Sequence, residues 1–133
     1  MNQDEIIREV KSYFVDKPEM RLIVLYGSVA GQSFSPQSDV DIAVAGDEVF
    51  PFEKMLEMNA ELQMRLHRDI DLVDLRRVKG LIHYKIVTKG LAIRDSKGLL
   101  AEHRIRALGF YEDMLPQLNE MRRRRIERVV DGR

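Results

Sequence analysis

Two short stretches of this chain alternate acidic and apolar residues, and that pattern limits the folds open to it more than any other feature. Ser38-Asp39-Val40-Asp41-Ile42-Ala43-Val44 is the first, and Asp69-Ile70-Asp71-Leu72-Val73-Asp74-Leu75 the second. In a strand, side chains at i and i+2 share a face, so Asp39 and Asp41 stand on one side while Val40, Ile42 and Val44 line the other. Asp69 and Asp71 repeat the arrangement. Carboxylates side by side repel one another. The pairing becomes favourable around a hard cation such as Mg²⁺, which takes oxygen ligands and usually shares them with substrate phosphates. Set beside the first pair, Asp71 would complete a cluster of three carboxylates.

The first acidic strand does not stand alone. An apolar run, Leu22-Ile23-Val24-Leu25, leads into Tyr26-Gly27-Ser28, and ten residues separate Ser28 from Asp39. Gly27 supplies a turn where backbone can approach a ligand closely, and Ser28 to Gly31 is expected to start a short helix with free N–H groups toward an anion. Ser28 is not read as a covalent nucleophile, because no histidine lies nearby in sequence to activate it.

Around this centre the chain reads as alternating helices and strands. Ile6, Ile7, Val10 and Phe14 recur at helical spacing over residues 4–15, and Lys17-Pro18 ends that helix. A strand over 21–26 follows. Phe52, Met55, Leu56, Leu62 and Leu66 predict a helix through about residue 67, with Met55, Met58 and Met64 as core filler. After the strand at 69–75 come a helix from Arg77 to Thr88, ended by Gly90, and a strand from Leu91 to Arg94. From Ser96, the expected N-cap, to Val130 the pattern is helical. Pro116 is expected to break or kink it near Leu115. The apolar stripe Leu99, Leu100, His103, Ala107, Phe110, Met114, Leu118, Met121 and Val129 is longer than one small sheet can cover, so part of it is expected to pack on another protein. The class is α+β: a small mixed β-sheet with flanking helices, residues 1–95, and a C-terminal helical extension of the same domain, residues 96–133.

Size and charge narrow the function. A chain of 133 residues, 44% apolar and 33% charged, is suited to one globular domain and leaves no room for a template-binding domain. It has no cysteine, hence no disulfide framework, thiolate metal site or cysteine nucleophile. Neither a secretion signal nor an apolar run of the ~20 residues a membrane span needs is present. A cytoplasmic protein is expected. Lysine plus arginine equals aspartate plus glutamate at 22 each, which is not the balance of a general nucleic-acid binder. Charge is uneven nonetheless, since Arg122 to Arg125 and Arg128 form a basic patch near the C-terminus. His67, His83 and His103 lack metal-ligand spacing and read as structural or exposed.

Gly27-Ser28, ten intervening residues, Asp39-x-Asp41 and a later acid in Ile70-Asp71-Leu72-Val73 together resemble the nucleotidyltransferases of the DNA polymerase β superfamily. The small size resembles its minimal nucleotidyltransferase branch, the antitoxin partners of HEPN-domain ribonuclease toxins. The resemblance covers residues 5–95 and the tail more loosely. It implies a polymerase β-like fold in which Asp39, Asp41 and Asp71 are catalytic and hold two Mg²⁺ ions. Gly27 and Ser28 would bind the nucleotide, with the Ser28 hydroxyl on the β- and γ-phosphates. Asp71 matches the family's third carboxylate, which leaves Asp69 solvated or in support. The implied reaction moves AMP from ATP to a tyrosine hydroxyl of the toxin and silences it. One departure stands out. Many relatives carry Arg-Ala-Arg-Gly after Gly-Ser, where this chain has Val29-Ala30-Gly31-Gln32. The alternative reading is therefore an antitoxin of this fold that acts by binding its toxin.

Overall fold

The computed structural model describes residues 1–130; the side chains of Leu118 and of residues 127–130 are outside that description. The side chains of Leu118 and Val129 of the expected stripe and of Arg128 of the basic patch thus lie outside it. Strands β1 (Leu22–Tyr26), β2 (Val40–Ala45), β3 (Ile70–Asp74) and β4 (Leu91–Asp95) form one sheet in the order β3-β2-β1-β4. β1 runs antiparallel to β2 and β4, whereas β2 and β3 are parallel, so the sheet is mixed.

Alternation along the strands sends side chains to two layers. Helices α1 (Gln3–Phe14) and α2 (Phe52–Leu66) cover one face. There Ile6, Val10, Phe14, Met58 and Leu62 pack on Ile23, Leu25, Val40, Ile42 and Val44. Helices α3 (Leu81–Lys89) and α4 (Leu99–Val130) cover the other, over Leu22, Val24, Ala43 and Ala45. Valine and isoleucine dominate the inner strands, as β-branched side chains suit a pleated, buried surface. Burying such a side chain is worth about 1.5–3 kcal/mol, which makes these two layers the main source of stability.

Polar contacts fix how the layers meet. The Asn2 side chain accepts the Glu5 N–H and caps α1. From β4, the Arg94 guanidinium donates to the carbonyls of Phe14, Lys17 and Met20, which ties the turn after α1 to the sheet edge. Asp74 is buried and accepts the N–H groups of Phe50 and Arg76, so this third acid of the second alternating stretch is structural. Between α3 and α4, His83 Nε2 lies 2.8 Å from His103 Nδ1, both rings buried.

Several expectations need correction. α4 is a single helix through Pro116. A proline frees the carbonyl four residues back, and here both Glu112 and Pro116 are exposed, so water can satisfy that carbonyl and the helix persists. Ser96 is not the cap of α4; the Asp95 carboxylate accepts the Leu99 N–H at 2.9 Å, while Ser96 Oγ bonds the Arg21 carbonyl. α3 starts at Leu81 because residues 75–78 form a turn closed by Asp74, and Gly80, at φ 76°, redirects the chain. Met64 is exposed, as are Phe52 and Leu56. Only one side of α2 reaches the core. Among the described residues no helix is long and apolar enough to cross a membrane.

Candidate functional site

The site lies where the C-terminal end of β1 meets the N-terminal ends of β2 and β3. Register sets Tyr26, Asp41 and Asp71 side by side across three strands, with Asp41 paired to Tyr26 on one side and to Asp71 on the other. The alternation read from the sequence therefore brings Asp41 and Asp71 together on the α3 side of the sheet. Asp39 lies just before β2, exposed, and Asp69 just before β3. Val40 N–H donates to the Asp69 carbonyl and holds these two entrances together.

Gly27 opens a single 3-10 turn, Gly27–Ala30, with φ at 68°. A Cβ at Gly27 would collide with Asp41 Oδ2, so the carboxylate could not stay where it is. The glycine thus combines a left-handed backbone with close approach to a carboxylate. Gln3 of α1 donates to the Val29 and Gly31 carbonyls and fixes this turn from outside. Val29 is buried in the core, and Ser28 is half-buried. Farther along, Arg68 stacks on Phe34 and donates to the carbonyls of Ser35 and Ser38, which sets the loop that delivers Asp39.

Hydrogen bonding separates these acids from Asp74, which accepts two backbone N–H groups. Burial, together with the charges of Asp71 and Asp39, holds the Asp41 carboxyl above the ordinary carboxylate range. Burial, with the charges of Asp71 and Asp41, pushes the Tyr26 phenol upward. The side chains of Asp39, Asp41, Asp71 and Ser28 make no hydrogen bond or ion pair among the described residues. An accumulation of unpaired negative charge is what a divalent cation would relieve, and the donors are hard carboxylate oxygens, so the residues fit Mg²⁺. As placed, no three His, Cys, Asp or Glu side chains among the described residues converge on one ion position.

Two cavities flank the acids. One of about 410 Å³ is lined by Tyr26, Gly27, Ala30, Gly31, Asp41, Ile82, Lys85, Ile86 and Lys89. The other, about 430 Å³, is bounded by residues 36–39, Gln63, His67, Arg68 and Asp69. Asp41 faces the first and Asp39 the second. From sequence, Ile82 and Lys85 read only as part of the helical repeat, and Lys89 carried no signal; the three- and four-residue spacings were visible, but the direction of that face was not.

The model of the family described as "Polymerase beta, Nucleotidyltransferase" matches residues 8–97, about two thirds of the chain. The chain belongs to this family. Protein adenylyltransferase MntA of Shewanella oneidensis is 31% identical to this nucleotidyltransferase over 90 residues, 68% of the chain and 63% of that relative. The chain thus spans less than two thirds of that protein's length. In solved structures, it resembles a toxin-antitoxin with AMP-PNP at 25% identity and TM-score 0.72, covering 93% of this chain and 98% of the other. It shares its fold with a chain from a complex of tri-AMPylated Shewanella oneidensis HEPN toxin and MNT antitoxin, at 24% identity and TM-score 0.69, over 97% and 99% of the two chains. The polymerase β-like architecture, a mixed sheet with flanking helices and a C-terminal helix, matches the expectation from sequence.

Proposed function

We propose that this nucleotidyltransferase is an antitoxin that transfers AMP from ATP to a tyrosine hydroxyl of a cognate HEPN toxin in the cytoplasm. The observation that carries the reading is the row of unpaired acids at Asp41 and Asp71, with Asp39 alongside and the bare backbone of Gly27 against Asp41. The similarity to MntA and to a toxin-antitoxin with AMP-PNP supports the donor and the class of partner.

Asp39, Asp41 and Asp71 would hold Mg²⁺, which when bound supplies charge stabilisation for an in-line displacement at phosphorus. The chain's own residues do the rest. Gly27 lets the phosphates approach the backbone, and the Ser28 hydroxyl donates to a β- or γ-phosphate oxygen. Asp71 accepts the proton of the tyrosine hydroxyl as its oxygen bonds the α-phosphorus. The bond from that phosphorus to the β-phosphate oxygen breaks, and pyrophosphate leaves.

A second reading, neutralisation by binding alone, draws support from the loop after Gly27, which has no lysine or arginine from Val29 to Ser38. One experiment separates them. The chain is co-purified with a candidate HEPN partner and incubated with labelled ATP and Mg²⁺, and the partner's peptides are analysed by mass spectrometry. AMP on a tyrosine, lost with Asp41→Asn, supports transfer; a complex with an inactive toxin and no AMP supports binding alone.

A further inference from the structure

The loop after Gly27 brings no positive charge to the site, yet the cavity it borders contains two cations. Lys85 and Lys89 stand one turn apart on α3 and line the same space as Gly27 and Asp41. Neither makes a hydrogen bond or ion pair among the described residues, whereas Lys17, Lys54 and Lys97 each have a carboxylate partner. An exposed lysine without a partner is ordinarily just solvated. These two differ in facing a concave site whose wall includes an acid that neither of them pairs with.

Their direction is built into the packing of α3. Ile86 and Val87 are buried against the sheet layer, which turns the Lys85–Lys89 edge toward β1 and the Gly27 turn. At the helix end Gly90 makes this possible: a Cβ there would run into Val24 Cγ1 and the Ile86 carbonyl, so only glycine lets the helix settle on β1. Tyr26, Ala30, Ile82 and Ile86 give the cavity an apolar side. The space therefore has an apolar wall, a cationic edge and an acidic corner.

Charge balance gives the cationic edge a task. Carboxylates that hold divalent ions also cancel much of the ions' charge, and a bound triphosphate then keeps excess negative charge away from the metals. Ammonium groups on flexible stems serve such phosphates as mobile point charges, with charge-assisted hydrogen bonds to their oxygens. We propose that Lys85 and Lys89 are the phosphate-binding cations of this site, gripping the β- and γ-phosphates of a nucleoside triphosphate whose α-phosphate faces Asp41 and Asp71. The inference rests on the nucleotidyltransferase reading and extends it by naming what holds the leaving pyrophosphate.

The test is equilibrium binding of AMP-PNP with Mg²⁺, of inorganic tripolyphosphate and of adenosine to the full chain. Lys85→Ala and Lys89→Ala should each weaken AMP-PNP binding about tenfold, the scale of one charge-assisted hydrogen bond. The double variant should lose more, and Lys85→Arg should retain most affinity. Tripolyphosphate should compete with AMP-PNP on the wild type and fail on the double variant, with adenosine affinity unchanged throughout. Lys97→Ala, whose partner Asp47 follows the far end of β2, serves as the control. The inference is overturned if the double variant, folded by circular dichroism, binds AMP-PNP within about twofold of wild type. It is equally overturned if adenosine affinity falls in step, or if the wild type binds no polyphosphate. Lysine-dependent binding of AMP-PNP without AMP transfer to the toxin would count against the enzymatic reading alone and leave the phosphate contacts standing.

Discussion

His83 and His103 share a buried hydrogen bond of 2.8 Å, Nε2 to Nδ1, that joins α3 to α4. One neutral ring donates to the other in that geometry, so a proton added to the acceptor nitrogen sets two N–H groups face to face unless the other ring changes tautomer. Burial, then the neighbouring His83 and the Arg106 and Arg76 charges, brings His103 down to about 4, and burial with Arg106 also lowers His83. The unfolded chain binds these protons near the ordinary 6.5, before the native chain does. Stability should therefore be full above that pH, fall as pH drops toward about 4, and level off below. Urea midpoints across this range check it. In a His103→Asn variant the slope should flatten; an unchanged slope would assign the effect to carboxylates.

Gly27→Ala tests the close approach to Asp41. The left-handed backbone alone should cost about 1–2 kcal/mol in an L-residue, and the collision with Asp41 Oδ2 adds to it. In an Asp41→Ala background the collision vanishes and only the backbone part remains. In a thermodynamic cycle from denaturant curves the double variant should thus be less destabilised than the sum of the two single variants. Additive costs would mean that the turn relaxes away from the strand.

Asp41→Asn should abolish AMP transfer yet leave the metal-free protein as stable as wild type or more so. The reason is the sign of the shift: a carboxyl held above its ordinary value is destabilising when ionised, and that penalty disappears as pH falls below 3.8, where the unfolded group is also protonated. The gain in melting temperature should accordingly be present at pH 7 and absent at low pH. A marked loss of stability at pH 7 would mark Asp41 as structural.

Truncation after Asp113 should preserve the fold and weaken partner binding. Phe110, near Gly80, and Tyr111, stacked on Tyr84 at 5.2 Å between ring centroids, remain in place. What is lost includes Met121 and Ile126, both exposed, and the Arg122 to Arg125 run. An apolar centre with a charged rim suits an interface, and its association should be salt-sensitive. Calorimetric titration with the HEPN protein at two salt concentrations measures this, and unchanged affinity would locate the interface elsewhere.

What could be read from the sequence was whatever depends on short periodicities. Acid-apolar alternation gave two strands and their shared face, because side-chain direction in a strand follows from spacing alone. Which acids were spoken for was not visible. Asp74 stands three residues after Asp71, so spacing alone puts it on the opposite face, but nothing local points to the distant backbone N–H of Phe50 that makes it a structural anchor there. The His83–His103 bond joins residues 20 apart with no local signature. Arg68, which shapes the loop before Asp39, and Lys85 and Lys89, which face the site, likewise depend on how helices dock. Pro116 shows the limit of a local rule: it does not divide α4 into two helices, because the carbonyl it frees is at exposed Glu112, where water can satisfy it.

The contact between Gly27 and Asp41 also bears on how related chains diverge. Any residue with a Cβ at position 27 displaces the carboxylate at 41, so the two sites cannot drift independently while the acid is kept. Once a lineage replaces Asp41 with a smaller side chain, the steric part of the demand on Gly27 lapses. Loss of both together would then be the footprint of a chain that has given up chemistry, whereas a glycine retained beside a shortened side chain would point to a more recent loss or to the backbone turn alone.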